Sequence, residues 1–113
     1  MLEPEINKYL PLTEATYYIL LALVEPLHGY GVMQKVQSLS EGTVLLGPGT
    51  LYGAFNTLEK QGIITMVKAE ERRKSYALTG KGRQVLEEQV KRLDVMARVG
   101  RKILPKLVKD EEK

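Results

Sequence analysis

Gly47-Pro48-Gly49-Thr50-Leu51-Tyr52-Gly53-Ala54-Phe55-Asn56-Thr57-Leu58-Glu59-Lys60-Gln61-Gly62 is the stretch whose reading decides the fold. It carries the punctuation of one short helix. Pro48 suits a first helical position, where its missing N–H costs nothing, and Gly62 suits the left-handed residue that closes the end. Leu51, Ala54, Phe55 and Leu58 recur at i, i+3, i+4 and i+7, so they form one buried stripe. The other face shows Thr50, Tyr52, Gly53, Asn56, Thr57 and Lys60. These are small or hydrogen-bonding groups, almost without charge, where a face that meets only water would hold more Glu and Lys. Groups of this kind suit base edges and phosphates.

Upstream, Thr13 is placed to cap a helix, with Glu14 in its first turn. Ala15, Tyr18, Ile19, Ala22 and Leu23 give that helix an apolar stripe, and Pro26 is expected to end it. The preceding Ile6–Leu10 is apolar enough to dock, set apart by Pro11. A second helix is expected to start near His28–Tyr30, bury Val32, Met33, Val36 and Leu39, and stop at Ser40-Glu41-Gly42. Thr43–Leu46 reads as a short extended piece leading into the decisive helix. Downstream, Ile63–Ala69 and Lys74–Leu78 read as two strands, with Tyr76 and Leu78 on one face. Glu70-Glu71-Arg72-Arg73 forms the charged tip of that β-hairpin. Thr79 then caps a long last helix, along which Leu86, Val90, Leu93, Ala97, Gly100, Leu104 and Leu107 alternate by four and three. That is the seam of a helix that pairs with another helix. Pro105 should kink or end it, so the seam is carried to about Leu104.

The order is helix, helix, short strand, helix, hairpin, long helix. The expected fold is mainly α with a small β-hairpin: a winged helix-turn-helix, whose second motif helix enters the major groove while the wing follows phosphates or the minor groove. Two parts are expected: residues 1–79 as the DNA-binding head with an N-terminal extension, and 80–113 as the pairing helix and charged tail. With 113 residues, one modest core is available. Hydrophobic and charged contents of 43% and 27% fit a globular chain. There is no cysteine, which excludes disulfides and thiolate metal sites, and His28 alone cannot hold a metal. No cofactor is expected. No apolar run reaches membrane-spanning length, and Met1–Glu5 lacks the basic and apolar regions of a signal peptide, so a cytoplasmic location is expected.

The net charge of +3 says little, but its distribution says more. Residues 1–62 carry −3 and residues 63–113 carry +6, so a polyanion should meet the second half. Arg72, Arg73 and Lys74 are the densest positive group, and their place on the hairpin tip favours a DNA role over a merely solvated face. Arg98, Arg101, Lys102, Lys106 and Lys109 read as solvent-facing. Thr50, Tyr52, Asn56, Thr57 and Lys60 are candidates for DNA contact. Asn56 has the chemistry to pair with adenine, and Lys60 with guanine or phosphate. Tyr52 lies off the apolar stripe, which favours a phosphate or sugar contact over a core place. Gly53 costs about 1 kcal/mol against Ala in a helix and fits close approach either to DNA or to another helix. His28 has no acid or nucleophile spaced to partner it, so it reads as structural. No paired-carboxylate, triad or phosphate-loop pattern points to an enzyme. The rival to DNA reading is a protein-interaction module whose wing and third helix bind another protein.

The chain resembles PadR-type transcriptional regulators. The resemblance rests on Ile19-Leu20-Leu21-Ala22-Leu23, Pro26-Leu27-His28-Gly29-Tyr30-Gly31, Gly49-Thr50-Leu51-Tyr52, Leu58-Glu59-Lys60-Gln61-Gly62-Ile63-Ile64, Arg72-Arg73-Lys74-Ser75-Tyr76-Ala77-Leu78-Thr79 and Gly82. It covers about residues 10–104, and the short C-terminal region is similar to the small subgroup that dimerises through one terminal helix. The resemblance implies a homodimeric repressor on a pseudo-palindromic operator, with Leu86, Val90, Leu93, Ala97, Gly100 and Leu104 at the dimer interface. It also implies relief by a small hydrophobic or aromatic effector, and control of detoxification or efflux genes. Multidrug-binding members carry a tryptophan on the last helix. This chain has none, and Leu93 occupies that place by spacing, with Val90, Met96 and Ala97 beside it as the expected effector groove.

Overall fold

The computed structural model describes residues 4–111. The elements run α1 (Pro4–Asn7), α2 (Glu14–Ala22), β1 (Leu27–His28), α3 (Gly29–Leu39), α4 (Pro48–Lys60), β2 (Ile64–Glu70), β3 (Arg73–Leu78) and α5 (Gly80–Glu111). α3 and α4 are the helix-turn-helix, and β2–β3 is the wing. The molecule is 65 Å long against 35 and 20 Å in the other directions, because α5 runs on far past the head.

The helix ends follow local chemistry. The Thr13 hydroxyl accepts the Thr16 N–H at 3.1 Å and starts α2. His28 Nδ1 accepts the Gly31 N–H at 3.1 Å and starts α3, so the one histidine is a cap. Gly62 has φ +74°, which lets the Ile63 N–H return to the Leu58 carbonyl at 2.9 Å and closes α4. Thr79 accepts the Gly82 N–H at 3.0 Å and donates to the Gly62 carbonyl at 2.6 Å, so one hydroxyl starts α5 and fastens it to the end of α4. A Cβ on Gly82 would collide with the Ile63 carbonyl oxygen, so the close approach of α5 to this residue requires glycine.

The core gathers Ile19, Leu20 and Leu23 of the α2 region, Val32 and Val36 of α3, Leu51, Phe55 and Leu58 of α4, Ile63 and Ile64, and Val85 and Leu86 of α5. Fully burying each such side chain contributes about 1.5–3 kcal/mol. Ile6 of α1 is buried with them, as the docking of Ile6–Leu10 anticipates.

Several expectations are corrected. The short strand is not Thr43–Leu46 but Leu27–His28, which pairs antiparallel with Tyr76 and Ser75 of β3. The sheet therefore has three strands, in the order β1-β3-β2, rather than a bare hairpin. Residues 43–46 instead form a loop organised by the buried Ser40, whose hydroxyl accepts the Val44 N–H at 3.0 Å, while Thr43 Oγ1 donates to the Ser40 carbonyl at 2.8 Å. Side-chain bonds inside the loop replace a ladder. α2 stops at Ala22, short of Pro26, because the chain must turn to supply β1; the freed Leu23 carbonyl accepts the Leu78 N–H at 3.3 Å. Leu39, expected in the buried stripe, is 43% exposed at the last residue of α3. Pro105 lies inside α5, which continues to Glu111. A proline removes one backbone bond and crowds one carbonyl, and the strong helix formers around it carry the helix through.

In the wing, Ile64 faces Leu78 and Glu70 faces Arg73, with an irregularity between Met66 and Lys68 that leaves Val67 unpaired. The tip is Glu71-Arg72, with Glu71 at φ +38°.

Candidate nucleic-acid interface

The start of α4 is open. Its N-cap is Gly47, which has no side chain to bond the first-turn amides, and no acidic residue stands in that turn. The positive end of the helix dipole is thus left for an external anion. Thr50, Tyr52, Gly53, Asn56, Thr57 and Lys60 are all exposed, as their alternation with the buried stripe requires. Thr50 and Lys60 stand roughly 15 Å apart along the axis, a reach of several base pairs.

The wing folds back beside this helix through aromatic contacts. The ring of Phe55 packs against Tyr76 of β3 at 4.6 Å between centroids and meets the edge of Tyr52 at 6.0 Å. Burial pushes the Tyr76 phenol above its ordinary pKa, with Glu59 and then Tyr52 adding to it, so the group stays neutral. Tyr52 is 50% exposed. Its hydroxyl rests against the backbone of Gly29, where a Cβ would lie only 2.5 Å from the oxygen. The ring is therefore steadied on α3 while half of it faces outward.

One cleft results, lined by His28, Gly29, Tyr30, Tyr52, Asn56, Glu71, Arg72, Arg73, Lys74 and Tyr76. It brings together Tyr52 and Asn56 of α4 with the three wing cations. Arg72, Arg73 and Lys74 are exposed, and among the described residues no carboxylate pairs with them; Glu70 is taken up by Lys68 at 2.8 Å. Thr57 is elsewhere, on the opposite flank of α4, in a groove shared with Gly53, Thr13, Thr16, Lys8 and Tyr9. Gly53 has open space where a Cβ would be, so no helix of this chain explains it.

On α5, Val90, Met96 and Leu104 are exposed at 38%, 66% and 57%, and Leu93 and Gly100 are half-buried. Leu86, expected in the same seam, is 8% exposed in the core of its own head, so the free part of the seam starts at Val90. Among the described residues no cluster of His, Asp or Glu fits a metal, and no helix is long and apolar enough to cross a membrane.

The family model of the transcriptional regulator PadR-like family matches residues 19–88, from α2 through the first turns of α5. The chain belongs to this family. It is a family of transcriptional regulators, not of enzymes. This PadR-like chain is 32% identical over 69 residues to the transcriptional regulator YqjI of Escherichia coli, covering 61% of itself and 33% of that protein. It is 33% identical over 99 residues to an uncharacterized 37.1 kDa protein in transposon TN4556 of Streptomyces fradiae, covering 87% of itself and 27% of that protein. The chain thus spans a third or less of the length of these relatives. It is also similar to the crystal structure of a PadR family transcriptional regulator from Eggerthella lenta, at 28% identity and a TM-score of 0.61, over 80% of this chain and 77% of that one.

Three side chains of the PadR-like head escape a reading of the sequence. Tyr30, 62% exposed on α3, lines the cleft, and its hydroxyl accepts Gln34 Nε2 at 3.4 Å. Its position off the α3 apolar stripe is the signal that marks it. Lys81 donates to the Gln61 carbonyl at 2.9 Å, placing a cation at the negative end of α4. It also lies over the Tyr9 ring at 4.8 Å, and its ammonium holds the Tyr9 phenol below its ordinary pKa. Gln89 of α5 is buried and accepts the Leu12 N–H at 2.8 Å. Lys81 and Gln89 act across 20 and 77 residues of sequence, where no local pattern reaches.

Proposed function

We propose that this chain represses transcription as a homodimer bound to a pseudo-palindromic operator in double-stranded DNA. Two copies of α4 would enter successive major grooves, and the two wings would follow the flanking phosphates. The observation that carries this reading is the single cleft that joins Tyr52 and Asn56 to Arg72, Arg73 and Lys74, none of which forms an ion pair among the described residues although Glu71 lines the same cleft. In it the wing cations supply sequence-independent phosphate attraction. Thr50 and Tyr52 contact the backbone near the open helix start. Asn56 and Lys60 face the groove, while Thr57, on the other flank of α4, is left out of that contact.

Residues 1–79 form the DNA-reading part and residues 80–113 the pairing part, with the first turns of α5 also completing the core of the head. Pairing uses Val90, Leu93, Ala97, Gly100 and Leu104, which are exposed or half-buried along a heptad repeat, while Leu86 is left to the core of the head. The effector is a small hydrophobic or aromatic molecule held between the paired helices by Val90, Leu93, Met96 and Ala97. Without tryptophan it is held by apolar fit rather than by stacking. Detoxification or efflux genes are the targets such a regulator serves.

The test is to capture genomic fragments on the purified chain, sequence them, and titrate the enriched site across salt. With about six phosphate contacts, affinity should fall roughly a thousandfold between about 50 and about 200 mM salt. No enriched site, or affinity indifferent to salt, would overturn the reading in favour of a protein-docking wing.

A further inference from the structure

Gln89 is one of two buried polar side chains among the described residues, 4% exposed; the other, Ser40, serves its own loop. A buried amide costs free energy unless it is bonded, and a Leu or Met would fill the same space without that condition. Gln89 meets the condition through one bond, from the backbone N–H of Leu12 to Oε1 at 2.8 Å. Because the partner is a donor, the amide must present its oxygen there. Leu12 lies between α1 and α2 and packs on the core, so it moves with the head.

α5 is thus fastened to the head at two levels. At its base, Thr79 and Lys81 bond the Gly62 and Gln61 carbonyls. Gln89 bonds Leu12 roughly 12 Å further along the axis. Apolar contacts between helices tolerate sliding and rotation, whereas a single directional bond selects one arrangement. Two fixed levels define a direction, and from Val90 to Leu107 the helix carries an exposed apolar face with no bond to the head among the described residues. The lever is long. A change of about 10° in its direction displaces a point roughly 30 Å along by about 5 Å, more than the 3.4 Å or so between successive base pairs.

We propose that Gln89 is a positioning residue for operator choice: by tying α5 to Leu12 it fixes the angle between head and pairing helix, and so selects the separation of the two half-sites. The proposal rests on the dimeric DNA-reading function above.

The test measures binding of the full chain to one half-site and to pairs of half-sites whose spacing is varied in single base-pair steps. The wild type should prefer one spacing at least tenfold over its neighbours. Gln89→Met, similar in volume but without the acceptor, should reduce that preference to within about twofold and leave single half-site affinity within twofold. Gln89→Glu keeps an acceptor oxygen and should keep the preference. A Gln89→Met chain that still prefers one spacing tenfold overturns the proposal.

A second measurement does not depend on a Gln89 variant folding. The chain has no cysteine, so a spin label at Glu71→Cys is unique. The distance between the two labels in the dimer should give one narrow distribution, and a broad one overturns the proposal. Failure of the reading beneath it looks different. A wild-type chain that binds no half-site pair, or that stays monomeric with labels too far apart to couple, overturns the dimeric reading itself.

Discussion

The inner and outer halves of α5 share one apolar spacing and differ in what covers it. Near the base, Val85 and Leu86 are buried where α5 packs on α1, α2 and β3. From Val90 outward the same repeat is exposed or half-buried, with Leu104 and Leu107 more than half open. Periodicity reports that a helix will bury a face, and leaves the identity of the covering surface to the rest of the fold. The inner half is a matter of folding, the outer half a matter of association.

The sharpest way to break this division is at its inner end. Gly82→Ala should cost about 3 kcal/mol of unfolding free energy, because the new methyl meets the Ile63 backbone rather than a yielding side chain. Chemical denaturation checks it, and an unchanged midpoint would mean that α5 can lift from Ile63 freely. At the outer end, Leu93→Asp should weaken the dimer at least about a hundredfold, near 2.7 kcal/mol, since pairing would bury a lone carboxylate. Sedimentation should then show monomers with a head that melts as before. A persistent dimer would remove the seam as the interface.

The wing belongs to neither half. Arg72→Ala together with Arg73→Ala should lower affinity for every DNA sequence about tenfold and flatten the salt slope by about two, with dimer and melting temperature unchanged. Equal affinity across a salt titration would take the wing off the DNA. The smallest effect is expected at Met96→Ala, within about 0.5 kcal/mol for folding, because its side chain is two-thirds exposed. A larger loss in thermal denaturation would place Met96 against the head after all.

What could be read ahead of the structure follows from range. The caps at Thr13 and Thr79 and the glycine stop at Gly62 act within five residues, and they stand where they were expected. The order of the main helices and the hairpin was legible for the same reason. β1 was not, because two residues are too few to show alternation, and their partners Tyr76 and Ser75 lie 49 and 47 residues away. The loop after α3 resembled a strand because its β-branched and apolar residues carry strand propensity, which Ser40 overrides with side-chain bonds. Of the candidate site, the wing cations and the face of α4 were visible as residue types. That Thr57 lies on the other flank from Asn56, that Tyr30 lines the cleft with Asn56, and that Lys81 closes the far end of α4 depend on packing that sequence spacing does not encode.

The irregularity at Val67 has a bearing on solubility. β2 lies at the edge of the sheet, with Met66 and Val67 exposed at 43% and 50%. A straight, apolar, unpaired strand of this kind is a template for a second copy and the start of a fibre. The break in register bends the edge, and the Lys68–Glu70 ion pair sets charge along it, so adjoining copies find no continuous ladder to extend. A wing can therefore stand out from the head, ready for a polyanion, without becoming an adhesive strip in a crowded solution.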